Sequence, residues 1–268
     1  MGKGTLVKPG TKVKLEDHDP AYRGKYRKAD PEVAEKLAED LQTMREHQTR
    51  LYAEHKQALL IVLQALDCGG KDGTIKHVMS GLNPQACHVS SFKVPSYEES
   101  IHDFLWRIHE RCPRQGHIMV FNRSHYEDVL VARVHNLVPE AVWKRRYEHI
   151  NNFEAHLADS GTRVIKFFLH ISKEEQRQRL QARIDDPQKH WKLSPSDARE
   201  RKLWDDYTAA YEDALSKSST KHAPWHIIPA DRKWYRNMVV ADVVANTLVD
   251  MNPQWPKPKV DLDSYVID

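Results

Sequence analysis

"LLIVLQALDCGGKDGTIKHV", residues 59–78, joins an unbroken apolar run to a glycine-lysine loop. The Leu/Ile/Val stretch over about residues 58–63 predicts a strand buried on both faces, the pattern of a parallel sheet, with a helix from about Gly70 after it. Residues 65–71 follow the GxxxxGK phosphate-loop pattern with Ala65 in place of the first glycine, and they lie between strand and helix, where that chemistry needs them. Gly69, Gly70 and Gly73 let backbone amides turn toward oxyanions, the helix terminus adds partial positive charge, and Lys71 supplies a mobile cation. The alternative is a plain glycine turn feeding a helix. Asp67 sharpens the choice, because a carboxylate among phosphate oxygens is repelled unless a cation intervenes or it handles a proton. Either Asp67 caps the helix, or it holds Mg²⁺ or orients an attacking phosphate oxygen. Asp72 occupies the place usual for Ser or Thr. Its first-turn position suits the helix dipole, and Thr74 is the nearby hydroxyl.

Outward from this stretch, strands and helices alternate. Residues 1–30 mix Gly, Pro and Lys without a period and read as an arm, disordered or laid over the surface. Asp30 and Pro31 predict a helix start, and Leu37, Leu41, Met44, Gln48 and Leu51 form its stripe, which faces either the core or a second subunit. A short strand, CHVSSFKV, leads to a capping box between Ser96 and Glu99. Ile101, Phe104, Leu105 and Ile108 then predict one amphipathic helix. HIMVF, TRVIKFFLHIS and WHIIPAD read as further strands. Helices are expected up to Gly161, from Ser172, and over about 234–249. This alternation predicts an α/β fold, a parallel sheet covered on both faces, with ligands outside the carboxyl ends of the strands.

The chain has 268 residues and 40% hydrophobic content, enough for one globular domain with appendages. Its 41 Lys and Arg against 38 Asp and Glu argue against a bulk nucleic-acid or membrane binder. No signal-like or membrane-length apolar segment is expected, and three cysteines without a CxxC pair suit a reducing, cytoplasmic setting. The 16 histidines show no HExxH or zinc spacing.

Two further segments carry chemistry. VFNRSHYEDVLVARV places Asn122, Arg123, Glu127, Asp128 and Arg133 just beyond a strand end, beside the first loop in a doubly wound sheet. That gathering suits metal-assisted phosphoryl transfer, or else an ordinary solvated helix start. RLQARIDDPQKHWKLSPSDARERKLWDDY sets Arg179 and Arg183 one turn apart, ends a helix at Pro187, and places Lys189 and Lys192 before a new one. It reads as a lid bringing cations onto migrating charge, or as a solvated loop. Trp191, Trp204, Tyr207 and Tyr211 are base-stacking candidates whose spacing more often means a helix core. Cys68 is a small loop residue.

Taken together, these three motifs resemble the polyphosphate kinase 2 family, over about residues 30–250. The resemblance implies a P-loop kinase, thymidylate-kinase-like three-layer fold, with a kinase domain at 31–250, a helical lid near 184–215 and a tail at 251–268. It implies reversible transfer from inorganic polyphosphate to AMP, ADP or related nucleotides with Mg²⁺, or Mn²⁺ in its place. Homo-oligomers, dimer or tetramer, are implied as well. By motif, Lys71, Arg123 and Arg183 would meet phosphates, and Asp67 and Asp128 would serve the metal or the acceptor. Gly69, Gly70, Asp72, Gly73, Thr74, Lys76, Asn122, Glu127, Arg133, Lys189 and Lys192 would complete the substrate site. Asn122 stands where many members have Asp, and His125 where Trp is common. The Asn form with its acidic pair is similar to the subgroup that accepts both AMP and ADP. An ATP-dependent kinase and a noncatalytic nucleotide-binding module are the rival expectations.

Overall fold

A computed structural model describes residues 4–262. Its strands are β1 (Thr5–Leu6), β2 (Ala58–Gln64), β3 (Cys87–Ser91), β4 (Ile118–Asn122), β5 (Thr162–His170) and β6 (Trp225–Pro229). The helices are α1 (Pro31–Glu54), α2 (Lys71–Val78), α3 (Tyr97–Ser100), α4 (Trp106–His109), α5 (Val131–Val134), α6 (Glu140–Asp159), α7 (Lys173–Ile184), α8 (Asp197–Lys202), α9 (Trp204–Ser218) and α10 (Lys233–Met251). One sheet runs β1-β6-β5-β2-β4-β3, parallel throughout except for β1.

The pleat explains the three layers. In β2, Leu59, Ile61 and Leu63 point into one core with α1, α2 and α10, while Leu60 and Val62 point into a second core with α6 and α9. Every residue of β2 is buried, which is why this strand lacks polar alternation. Because β2 lies between β4 and β5, its carboxyl end opens beside the ends of both.

Three local expectations change, and one open alternative is resolved. The helix expected from Ser96 through Ile108 is broken into α3 and α4. The capping box forms, with Ser96 Oγ accepting from the Glu99 amide at 3.1 Å and Glu99 accepting from the Ser96 amide at 2.7 Å. Asp103 then accepts from the Leu105 amide at 2.9 Å, a local bond that competes with the helical ladder, and Ile101 is left exposed. Asp30 does not cap α1, because its carboxylate accepts from the Arg27 amide at 2.6 Å instead. The α1 stripe, left by the sequence to either the core or a second subunit, faces the core under α10 of the same chain: Met44, Gln48 and Leu51 are buried, with Leu37 and Leu41 packed at the margin. The N-terminal segment supplies a strand that no periodicity announced, β1 on the edge of β6, and Val7, Val13 and Leu15 enter the α6–α9 core.

The stretch expected as a lid contains a 3₁₀ turn, Pro187–Lys192, and the short α8. α9 buries Ala210, Tyr211, Ala214 and Leu215, so its second half is core.

Candidate active site

After β2 the chain turns tightly, with the Gly69 amide bonded to the Leu66 carbonyl at 2.9 Å. Cys68 and Gly70 both take positive φ, 64° and 100°. Gly70 is required there, because a Cβ would also run into the Arg236 guanidinium. Lys71 opens α2, and its buried ammonium donates to the Ala65 carbonyl at 2.9 Å. Burial, reinforced by nearby Arg123, lowers its pKa to about 8 against the pull of Asp67, Glu127 and Asp72. Thr74 is fully buried and its hydroxyl donates to the Gly70 carbonyl at 3.1 Å, an intrahelical contact, while Lys76 points outward on the next turn.

Parallel pairing sets Leu63 of β2 beside Asn122 of β4, which delivers the second motif to the loop. Arg123, at φ 64°, bridges two carboxylates: Nη2 to Asp67 Oδ1 at 2.9 Å and Nη1 to Glu127 Oε2 at 3.1 Å. Burial alone would lower the Arg123 pKa, but Glu127 and Asp67 lift it above the ordinary arginine value. Asn122 donates to Asp72 Oδ1 at 2.7 Å. That bond gives Asp72 a place: it ties the first turn of α2 to the end of β4, and an aspartate at 122 would set two carboxylates against each other.

Asp67 and Asp128 bond different arginines, and of the two only Asp67 lines the cavity. The 3₁₀ turn His125–Asp128 directs the neighbouring acids apart. Asp128 lies 3.2 Å from Arg146 and 3.8 Å from Arg107, and burial raises its pKa while those two arginines restrain it. Glu127 is the carboxylate that shares Arg123 and the cavity wall with Asp67. Beneath the turn, Lys166 bonds Glu154 at 2.6 Å and Tyr126 at 2.7 Å, while His125 meets Glu154 at 3.1 Å. All four side chains are buried, so the turn rests on a buried polar network in which His125 Nδ1 alone of these groups lacks a partner among the described residues.

A cavity of about 260 Å³ opens above Asp67, Arg123 and Glu127. Trp204, Tyr207 and Tyr211 line it, whereas Trp191 is exposed elsewhere. On its far wall Glu200 of α8 accepts from Tyr207 at 2.9 Å and lies 3.0 Å from His135.

Other expected residues stand apart. Arg133 pairs with Asp213 at 2.7 Å and stacks on Trp143. Arg183 bonds the Lys192 carbonyl at 3.2 Å and lies 3.6 Å from Asp197, Lys189 pairs with Asp186 at 2.7 Å, and Lys192 sits over Trp191. The lid cations are thus occupied within the lid. Cys68 has its thiol pKa raised, chiefly by burial.

Sequence reasoning missed the cations on the other side of the loop. Arg236 of α10 is 2% exposed, reaches Gly70 and Gly73, and has no carboxylate within ion-pair distance among the described residues. Its pKa falls to about 10 through burial and the nearby Arg179. Arg179 donates to the carbonyls of Cys68 at 2.8 Å and Ala230 at 2.6 Å. Burial and Arg179 also lower the pKa of Lys233. The available signal was position, since Lys233 and Arg236 closely follow the carboxyl end of β6.

A parallel sheet with a phosphate loop at its carboxyl edge, an arginine-bridged acid pair and an overlying cavity defines a P-loop phosphotransferase. The comparisons make the class specific. Residues 27–256 match Polyphosphate kinase 2 (PPK2), and the chain belongs to that family. It is 48% identical over 262 residues to the AMP/ADP-polyphosphate phosphotransferase of Meiothermus ruber, covering 98% of each chain. It is 45% identical over 272 residues to the ADP-polyphosphate phosphotransferase of Rhodopseudomonas palustris, covering 96% of this chain and 91% of that one. The crystal structure of Polyphosphate Kinase 2 from Arthrobacter aurescens superposes with a TM-score of 0.91 at 42% identity, over 96% of this chain and 93% of that one.

Proposed function

We propose that the protein transfers phosphoryl groups from inorganic polyphosphate to AMP and ADP. The observation that carries this reading is the two-sided loop: buried Arg236, with no carboxylate partner among the described residues, beside Gly70 on one side, and an aromatic cavity floored by Asp67, Arg123 and Glu127 on the other. Polyphosphate lies along Gly70, Lys71, Arg179 and Arg236, and the nucleotide occupies the cavity with its base toward Trp204 and Tyr207. A nucleotide phosphate oxygen attacks the terminal phosphorus of the chain, forming the new P–O bond as the bridging bond breaks, with no covalent enzyme intermediate. Lys71 and Arg123 meet the charge spreading over the transferred group. Closure of the lid would add Arg183, Lys189 and Lys192 in exchange for their present partners.

The acid pair fits Mg²⁺, or Mn²⁺ in its place. Arg123 takes one oxygen of each carboxylate, leaving Asp67 Oδ2 and Glu127 Oε1 without a protein hydrogen bond among the described residues. Magnesium at kinase sites uses one or two carboxylates plus water and phosphate oxygens, and when bound it neutralises phosphate charge. Among the described residues no helix is long and apolar enough to cross a membrane. The three free cysteines are consistent with a cytoplasmic protein.

The test is incubation with polyphosphate, Mg²⁺ and either AMP or ADP, without ATP, with products separated by chromatography. ADP from AMP and ATP from ADP are expected, both abolished by chelation. Transfer to only one of the two nucleotides would overturn the dual-acceptor reading.

A further inference from the structure

α7 is a polar helix in which the single buried residue is itself polar, Gln176 at 3% exposure. Its side chain is spoken for at both ends. Nε2 donates to the Asp67 carbonyl at 3.0 Å, and Oε1 accepts from Arg201 of α8 at 2.9 Å. One turn further along α7, Arg179 takes the next carbonyl of the loop, that of Cys68. Two successive loop carbonyls are therefore drawn outward onto α7, where the strained φ of Cys68 is held. The opposite wall of the cavity binds the preceding residue of the same helix, because Glu200 meets His135 and Tyr207. Residues 200 and 201 thus fasten α8 across the cavity mouth, and the Arg201 side passes directly to Asp67.

We propose that Gln176 is a positioning residue that couples docking of α8 to the placement of Asp67. The inference rests on the transfer reaction above and adds to it the link between lid and acid. Only an amide serves both ends: a carboxylate keeps the acceptor for Arg201 but cannot donate to the Asp67 carbonyl, and an apolar side chain does neither. When α8 is docked, Arg201 fixes Oε1, the amide plane is set, and Nε2 holds the Asp67 peptide so that its carboxylate faces Arg123. When α8 is away, the amide loses its orienting partner and Asp67 is released from one of its two restraints.

Steady-state kinetics with polyphosphate and ADP test this on wild type, Gln176→Leu, Gln176→Glu, Arg201→Leu and the Gln176→Leu/Arg201→Leu double variant. ADP affinity is measured separately by calorimetry without polyphosphate. The expected result is a fall in kcat of about ten- to a hundredfold for each variant, the scale of a misplaced reacting group, with KM and ADP affinity within about threefold. Gln176→Glu is expected to lose as much as Gln176→Leu, and the double variant no more than the worse single. A rise in KM at unchanged kcat, wild-type kcat in Gln176→Glu, or multiplicative losses in the double variant would each overturn the relay. Should the Gln176 variants unfold, Arg201→Leu on the partly exposed α8 carries the same kcat-against-KM reading. A wild-type protein inert toward polyphosphate overturns the transfer reading itself, whereas active wild type with any of the adverse patterns overturns the relay alone.

Discussion

Lys71→Met separates what the loop lysine contributes to function from what it costs the free protein. The drop of its pKa from 10.5 to about 8 corresponds to about 3 kcal/mol of strain in the protonated state. Removing the ammonium relieves that strain but deprives the Ala65 carbonyl of a 2.9 Å hydrogen bond, a loss of about 1–2 kcal/mol. The variant is therefore expected to be more stable than wild type by about 1–2 kcal/mol at pH 7, which at about 2–4 °C per kcal/mol raises the Tm by several degrees. Turnover should be lost at the same time. The sign with pH follows from the folded pKa lying below the unfolded one. Below pH 8 both states carry the proton and the full strain is present. Between 8 and 10.5 the unfolded chain binds more protons, so the wild-type protein gains stability as pH rises. Arg123, Asp67, Glu127 and Asp72 face this group and are common to both proteins. The advantage of Lys71→Met should therefore shrink between pH 7 and 10 in paired urea melts. A variant less stable than wild type at pH 7, or an advantage independent of pH, would refute the reasoning.

Three other perturbations have distinct signatures. Gly70→Ala forces a side chain to φ 100° and against Arg236, so a loss of at least about 1–2 kcal/mol is expected, read as a lowered Tm with impaired turnover; an unchanged melt contradicts the described loop. Lys166→Met leaves Glu154 charged and buried, costing about 3–5 kcal/mol, and pairing it with Glu154→Leu should recover much of the loss; equal melts for the single and double variants count against the network. Asp67→Asn should lower kcat about a hundredfold with little change in Tm, whereas Asp128→Asn should act mainly on stability through Arg146 and Arg107. Equal kcat losses at equal Tm would restore Asp128 to the reacting centre.

The fold was legible wherever burial leaves a simple pattern. The apolar run of β2 announced a central parallel strand, and the glycine-lysine loop after it announced the working edge of the sheet. Legibility failed where side chains compete with backbone or where topology assembles distant residues. Apolar spacing from Ile101 to Ile108 reads as one helix, but a single Asp103 turn breaks it. Adjacent acids at 127 and 128 look equivalent, yet a 3₁₀ turn sends Glu127 to Arg123 and Asp128 to Arg146. Asp72 gains its meaning from Asn122, fifty positions away, and Arg236 gains its own from the return of α10 beneath the loop. Gln176 carries no motif at all; only its burial in a polar helix marks it.

The most direct measurement follows purified protein with polyphosphate as the sole phosphoryl source, ADP and Mg²⁺, by phosphorus NMR, beside Lys71→Met at equal concentration. The account predicts ATP signals growing as polyphosphate shortens in wild type and neither change in the variant. No ATP from wild type, or undiminished ATP from Lys71→Met, would contradict it.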